Sequence, residues 1–178
     1  MASFGHVAIG IAAGRLFVAE PASKRALVGA MLGFSALSLL PDADVVAFAL
    51  GIPYGAPFGH RGASHSLGAA LLCGLLAWWA ASRARSARPL RLGICVALVV
   101  ATHGLLDAMT DGGRGVALLF PFSTERLFLP WRPIPVAPIG ARLLSSRGLS
   151  VLAFELVAFA PLVAYALVPR FWRRGVSV

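Results

Sequence analysis

Five apolar runs, broken by short polar stretches, set the pattern of this chain. They extend from about Phe4 to Ala19, Ala26 to Leu40, Gly62 to Ala81, Leu92 to Thr110 and Leu149 to Val168. The last three approach the roughly 20 residues that a helix needs to cross a bilayer, whereas the first two are short for a full span. Pro161 is expected to kink the fifth. Between the second and third runs, Gly51, Pro53, Gly55, Pro57 and Gly59 predict a loop or re-entrant segment, entered by a short apolar turn from Val45 to Leu50. Between Asp111 and Gly148, Pro121, Pro130, Pro133, Pro135 and Pro138 predict a longer irregular region. Neither reads as a linker to a further domain. The expectation is one domain over residues 1–178, an all-α, multi-pass integral membrane helical bundle with an irregular Pro/Gly-rich cap at one face.

Composition supports the same class. A mean hydropathy of +0.82 with only 13% charged residues lies outside the range of soluble globular chains. The net charge of +9 raises the question of nucleic acid. The arginines, however, are neither gathered on one amphipathic helix nor interleaved with aromatics; they flank apolar runs, where they orient helices against a membrane. Membrane lipid, not nucleic acid, is the expected partner. Alternating five crossings puts Arg15, Lys24, Arg25, the cluster Arg83, Arg85, Arg88 and Arg91, and Arg170, Arg173 and Arg174 on one side. That is ten of the sixteen basic residues, which makes this side cytoplasmic. Trp78, Trp79 and Trp172 read as belt residues near the same interface. Cys73 and Cys95, without a CxxC partner, read as small packing residues. No basic leader precedes the first apolar run, so no cleavable signal peptide is expected.

Against this apolar background the histidines and aspartates stand out. They occur as His6, Pro41-Asp42-Ala43-Asp44, His60-Arg61-Gly62-Ala63-Ser64-His65-Ser66, and His103-Gly104-Leu105-Leu106-Asp107 followed by Thr110-Asp111-Gly112. Ionisable groups in apolar surroundings cost several kcal/mol unless paired, hydrated or metal-bound. In the alternating topology all four clusters meet at one membrane face, the outer one. A shared metal site is therefore expected.

The spacing of each cluster sharpens the chemistry. His103 and Asp107 lie one helical turn apart on one face, where an imidazole and a carboxylate can bind one divalent ion or bridge two; a simple His–Asp hydrogen bond is the plainer alternative. Asp111 extends that line only if the helix persists past Gly112. His60 and His65 suit a loop-to-helix junction, where Ser64 and Ser66 could cap the helix or bind phosphate, capping being the plainer role. Arg61 could clamp a phosphate bidentately or anchor to lipid head groups. Asp42 and Asp44 end an apolar helix, where the dipole disfavours carboxylates and a cation would relieve the conflict. Glu155 is expected to pair or hydrogen-bond within the fifth run. Arg114, Arg126, Arg132 and Arg142 are expected to be solvated or lipid-facing.

The order His6, Pro41-Asp42-x-Asp44, His60-Arg61-Gly62-x-x-His65-Ser66, His103-x-x-x-Asp107, Thr110-Asp111-Gly112 and Leu119-Phe120-Pro121-Phe122-Ser123 resembles the predicted membrane-bound, metal-dependent hydrolases of bacteria and archaea. That family includes a LexA-regulated bacterial inner-membrane protein. The resemblance covers nearly the whole chain and implies a multi-pass, mostly helical hydrolase with a divalent-metal site. A weaker similarity runs to the zinc-dependent phospholipase C group. Carried over, it makes His6, Asp42, His65, His103 and Asp107 the candidate ligands. That group's later His and HxxxE ligands have no counterpart after His103, so one or two ions are expected, zinc first and manganese second. The expected activity is hydrolysis of a phosphoester or related ester of a lipidic substrate, with Asp44 or His60 as general base or orienting group and Arg61 as phosphate clamp. The rival expectation is a non-catalytic membrane protein, a transporter or assembly factor. It is disfavoured by the lack of His or Asp near the inner ends of the runs.

Overall fold

The computed structural model describes residues 3–18 and 23–168, so Arg170, Trp172, Arg173 and Arg174 lie outside the described residues. Six helices account for most of it: α1 (Ser3–Phe17), α2 (Lys24–Leu39), α3 (Val46–Ala49), α4 (Leu67–Arg83), α5 (Pro89–Ala108) and α6 (Ser146–Leu167). Among the described residues there is no strand, only isolated bridges at Thr110–Ile134 and Val116–Leu127. The bundle packs α1 on α2, α4 on α5 and α1 on α6, with α5 also touching α1 and α2.

Small residues allow the closest approaches. Gly10 and Gly14 of α1 lie against the backbone of α2, and a Cβ at either would overlap Phe34–Ser35 or Ala30–Met31. Without a hydrophobic drive between helices in lipid, backbone approach of this kind supplies the packing. The central apolar cluster joins Phe34 of α2, Ala70 of α4 and Val96, Val99 and Val100 of α5. Cys73 and Cys95 are free thiols packed against it. Large apolar side chains elsewhere point outward: Leu71, Leu75 and Trp79 on α4, Leu98 on α5 and Val157 on α6, the last 78% exposed. An outward apolar surface on this scale requires lipid around it.

Three helical stretches are long and apolar enough to cross a membrane: Lys24–Ala49, Pro89–Ala108 and Ser146–Leu167. Two boundaries differ from the sequence expectation. The second run does not stop at Leu40: Pro41 breaks the α-helical ladder, but the chain tightens into a 3-10 turn, Leu40–Val45, and continues into α3. The third run loses its first five residues, because Ser66, with extended backbone (ψ 157°), caps α4 by accepting from Ala69 N. That leaves α4 with 17 residues, shorter than the expected span. α6 continues through Pro161.

α1 and α6 run parallel, since Gly5 N donates to Glu155 Oε2 (3.0 Å) near one end and Arg15 Nη1 to the Ala166 carbonyl (3.1 Å) near the other. At that second end Arg91 Nη2 donates to the Leu16 carbonyl (2.9 Å). The first end is covered by the two irregular stretches. Val116 and Leu118 pack on Ala108 there, and Leu129 N and Ile134 N donate to the carbonyls of Ala108 and Met109.

Candidate metal centre

The polar clusters converge beneath this cap. Four side chains from three stretches of chain turn toward one point: Asp42 from the 3-10 turn after α2, His65 from a second 3-10 turn (Ala63–His65) before α4, and His103 and Asp107 from the last turns of α5. His65 Nε2 lies 3.1 Å from His103 Nε2, 3.5 Å from Asp42 Oδ1 and 3.5 Å from Asp107 Oδ2. His103 Nε2 is 3.4 Å from Asp42 Oδ1 and 4.0 Å from Asp107 Oδ2. Tetrahedral zinc, with bonds of 2.0–2.2 Å to such donors, separates them by about 3.3–3.6 Å. The five distances bracket that range, and the same four atoms make all of them. The donor set fits a divalent ion in size and chemistry.

Local hydrogen bonds present the right nitrogens. His103 Nδ1 lies 2.6 Å from the Ser38 carbonyl, so it carries the proton and leaves Nε2 as a lone pair toward the cluster. Ser38 Oγ in turn donates to the carbonyl of His6 (2.7 Å), tying α1, α2 and α5 at one level. Asp44 does the equivalent for the loop. Its carboxylate meets His60 Nδ1 at 2.7 Å and His65 Nδ1 at 3.1 Å, and accepts from Arg61 N (3.2 Å) and Ser64 Oγ (2.5 Å). Ser64 was expected to cap α4; it is instead a ligand of Asp44, and Ser66 alone caps. The approach of His65 to α5 depends on Gly104, where a Cβ would overlap the His65 carbonyl. Burial alone would lower the His65 pKa. Hydrogen bonds to Asp107, Asp42 and Asp44 outweigh it and push the imidazole up to about 10.

His6, the fifth expected ligand, lies beside this set. Its ring stacks on His103 at a centroid distance of 3.6 Å and an interplanar angle of 8°, and Nε2 is 3.9 Å from Asp107 Oδ1. Both ring nitrogens are buried without a hydrogen bond among the described residues. An unsatisfied buried polar group costs about 1–3 kcal/mol, so this ring, too, calls for a ligand. Arg61 is buried at a backbone φ of +61°, with Nε 3.0 Å from Asp107 Oδ2 and Nη2 3.2 Å from Oδ1. Its Nη1 donates to Thr110 Oγ1 (3.0 Å) and the Gly112 carbonyl (3.3 Å). The guanidinium expected to clamp phosphate is therefore first a holder of Asp107.

A cavity of about 420 Å³ opens beside the cluster. Its lining includes the polar side chains of Asp42, Asp107, His60, Arg61 and Tyr54 and the apolar ones of Val45, Val136, Ile139 and Leu143. His65 and His103 lie behind Asp42 and Asp107, so the cavity reaches the centre from the carboxylate side. Asp111 leaves the cluster: α5 ends at Ala108, and Asp111 Oδ1 accepts from Val136 N (2.7 Å). Glu155 accepts from Gly5 N, as a hydrogen-bonding residue of the fifth run should.

Some residues of the site carried no sequence signal for their roles. Ser38 acts partly through its carbonyl. Tyr54 packs edge-on against His60 (5.2 Å), and burial raises its phenol above the usual pKa, keeping it a neutral donor. Arg126, expected to be solvated or lipid-facing, is half-buried. It donates to the carbonyls of His60 (2.9 Å), Tyr54 (2.8 Å) and Ala56 (3.1 Å), because the Gly/Pro-rich loop has few backbone partners of its own.

Fold and site together define an all-α membrane helical bundle with a buried His/Asp cluster under a cap at one end. The chain belongs to the YdjM inner membrane protein family, whose model matches residues 1–175. It is similar to the inner membrane protein YbcI of Escherichia coli (strain K12), with 42% identity over 122 residues, 68% of this chain and 70% of that protein. No solved structure matches.

Proposed function

We propose that this protein is a membrane-embedded, divalent-metal-dependent hydrolase acting on a phosphoester or related ester of a lipidic substrate. The observation that carries the reading is the close-set group of Asp42, His65, His103 and Asp107 donor atoms at the edge of a cavity. These four residues would hold one ion, zinc first and manganese second. His6, with Nε2 3.9 Å from Asp107 Oδ1, would serve a second ion or a water. A bound ion would supply Lewis acidity toward an ester oxygen and make water acidic enough to act as nucleophile near neutral pH.

The chain's own residues do the rest. Asp44 fixes the His60 and His65 rings through their Nδ1 atoms, leaving His60 Nε2 as the atom that takes and returns a proton. Arg61 pairs with Asp107 and adds positive charge to the cavity lining, where it would face a phosphate. The bundle is read as multi-pass in the bacterial inner membrane. The arginine-rich end would face the cytoplasm and the site the outer face.

The test is metal content of the detergent-purified protein by elemental analysis, beside a His103→Ala/Asp107→Ala double variant of equal yield and helicity. Stoichiometric zinc or manganese, lost in the variant, is the expected result, followed by hydrolysis of phospholipid or polyprenyl phosphate by the loaded wild type alone. No metal in either protein after soaking and mild washing would overturn the reading.

A further inference from the structure

The cavity lining holds two chemically distinct sets of residues, and only one of them is accounted for by hydrolysis. The polar set, with His60, Arg61 and the two carboxylates, suits an anionic head group beside a cation. Val45, Val136, Ile139 and Leu143 add an apolar surface to the same cavity. A soluble phosphoester would gain nothing from such a surface, and water in contact with it is unfavourable. Val136 is held in place. Asp111 Oδ1 accepts from Val136 N at 2.7 Å, and Gly112 sits close enough that a Cβ would meet Val136 Cγ1 at 2.8 Å.

Two of the apolar lining residues also reach the surface: Val45 and Ile139 are 43% and 49% exposed. Val45 lies near the end of the helical stretch Lys24–Ala49, and Leu143 just before α6, Ser146–Leu167. Both stretches are apolar and long enough to cross a membrane, so the rim between them lies where a bilayer meets the protein. An opening with an apolar rim at that level admits hydrocarbon sideways, from lipid, more readily than a solute from water.

We propose that the cavity selects an amphiphile by its chain: a single-phosphate head lies against Arg61 and His60, while the first methylenes lie along Ile139 and Leu143 and leave through the rim at Val45 into the bilayer. The inference rests on the proposed hydrolase reading for the place of the head and adds the specificity-determining wall. Ile139 and Leu143 are the residues that distinguish a lipidic phosphate from a soluble one.

The experiment is a calorimetric binding series with monoalkyl phosphates from ethyl to octyl on the full chain in detergent, loaded with zinc, with no turnover required. Wild type is compared with Leu143→Asp and, in case that variant does not fold, with the milder Leu143→Ala. Each methylene buried on the apolar wall should tighten binding by up to about fourfold. Partition of the longer chains into micelles reduces the apparent gain, but equally for all three proteins, so the difference in slope isolates the cavity. The expected result is a steeper gain with chain length in wild type than in either variant, with ethyl phosphate bound alike by wild type and Leu143→Ala. Equal slopes in wild type and Leu143→Ala would overturn the proposal. Hydrolysis of ethyl phosphate as efficient as that of octyl phosphate would overturn it too, while leaving the hydrolase reading intact. A chain-dependent slope without any hydrolysis would instead sustain the wall and sink the chemistry.

Discussion

Asp44→Asn tests whether the site is organised around a carboxylate that itself touches no ion. Asp44 meets both His60 Nδ1 (2.7 Å) and His65 Nδ1 (3.1 Å), one on each oxygen, and also takes Arg61 N and Ser64 Oγ. An amide of the same shape offers one acceptor oxygen and turns an NH2 group toward the other ring. One histidine must therefore lose its partner or change tautomer. Hydrogen bonds to a charged group are worth about 1.5–3 kcal/mol, so losing one on the His65 side corresponds to a roughly 10- to 150-fold weaker grip on an ion at His65 Nε2. Outer partners of metal-binding histidines cost about 10- to 100-fold in affinity when changed, which agrees. The assay is zinc affinity by competition with a chromophoric chelator, with circular dichroism to show that the helices persist. An affinity equal to wild type would refute the reasoning. So would a loss as complete as that of Asp107→Ala, because Asp44 would then be a ligand.

Three further outcomes follow. The His65 pKa of about 10 lies above its ordinary value of 6.5, so the metal-free protein draws stability from the imidazolium below about pH 6.5 and loses it as pH rises through about 10. At pH 7 the ring is protonated, and zinc uptake should expel about one proton from it; calorimetry in two buffers of different ionisation enthalpy measures the number, and zero would contradict the assignment of His65 Nε2 as a donor. Gly10→Val should separate α1 from α2 at Ser35 and lower thermal stability in detergent by roughly 1–3 kcal/mol, the usual cost of overpacking; an unchanged melting temperature would show that the two helices do not need this contact.

Much of the bundle was legible because alternating apolar runs dictate alternating helices, and alternating helices bring His6, Asp42, His65, His103 and Asp107 to one end whichever way the protein faces. Boundaries were harder. Pro41 looks like a stop, yet a 3-10 turn carries the chain past it. Gly62-Ala63-Ser64-His65 looks like the start of a membrane helix, yet its apolar residues serve a loop that must present His65. Partner choice was the least legible. That Arg61 would hold Asp107, that Arg126 would fasten the carbonyls of the Tyr54–His60 loop, and that Ser38 would orient His103 through its backbone all depend on contacts between residues distant in sequence. No spacing rule encodes them.

The arginines at the far end of the bundle carry a consequence of their own. Arg91 closes on the last carbonyls of α1 and Arg15 on those of α6, groups that a helix terminus leaves without partners of its own. On the proposed orientation, with this end toward the cytoplasm, Arg91 and Arg15 would both help to orient the chain and rivet neighbouring helices together. Moving them to invert the protein would also unfasten it. Topology and tertiary structure cannot drift apart at these two positions, and an inverted form would arrive in the membrane with two helix ends already open.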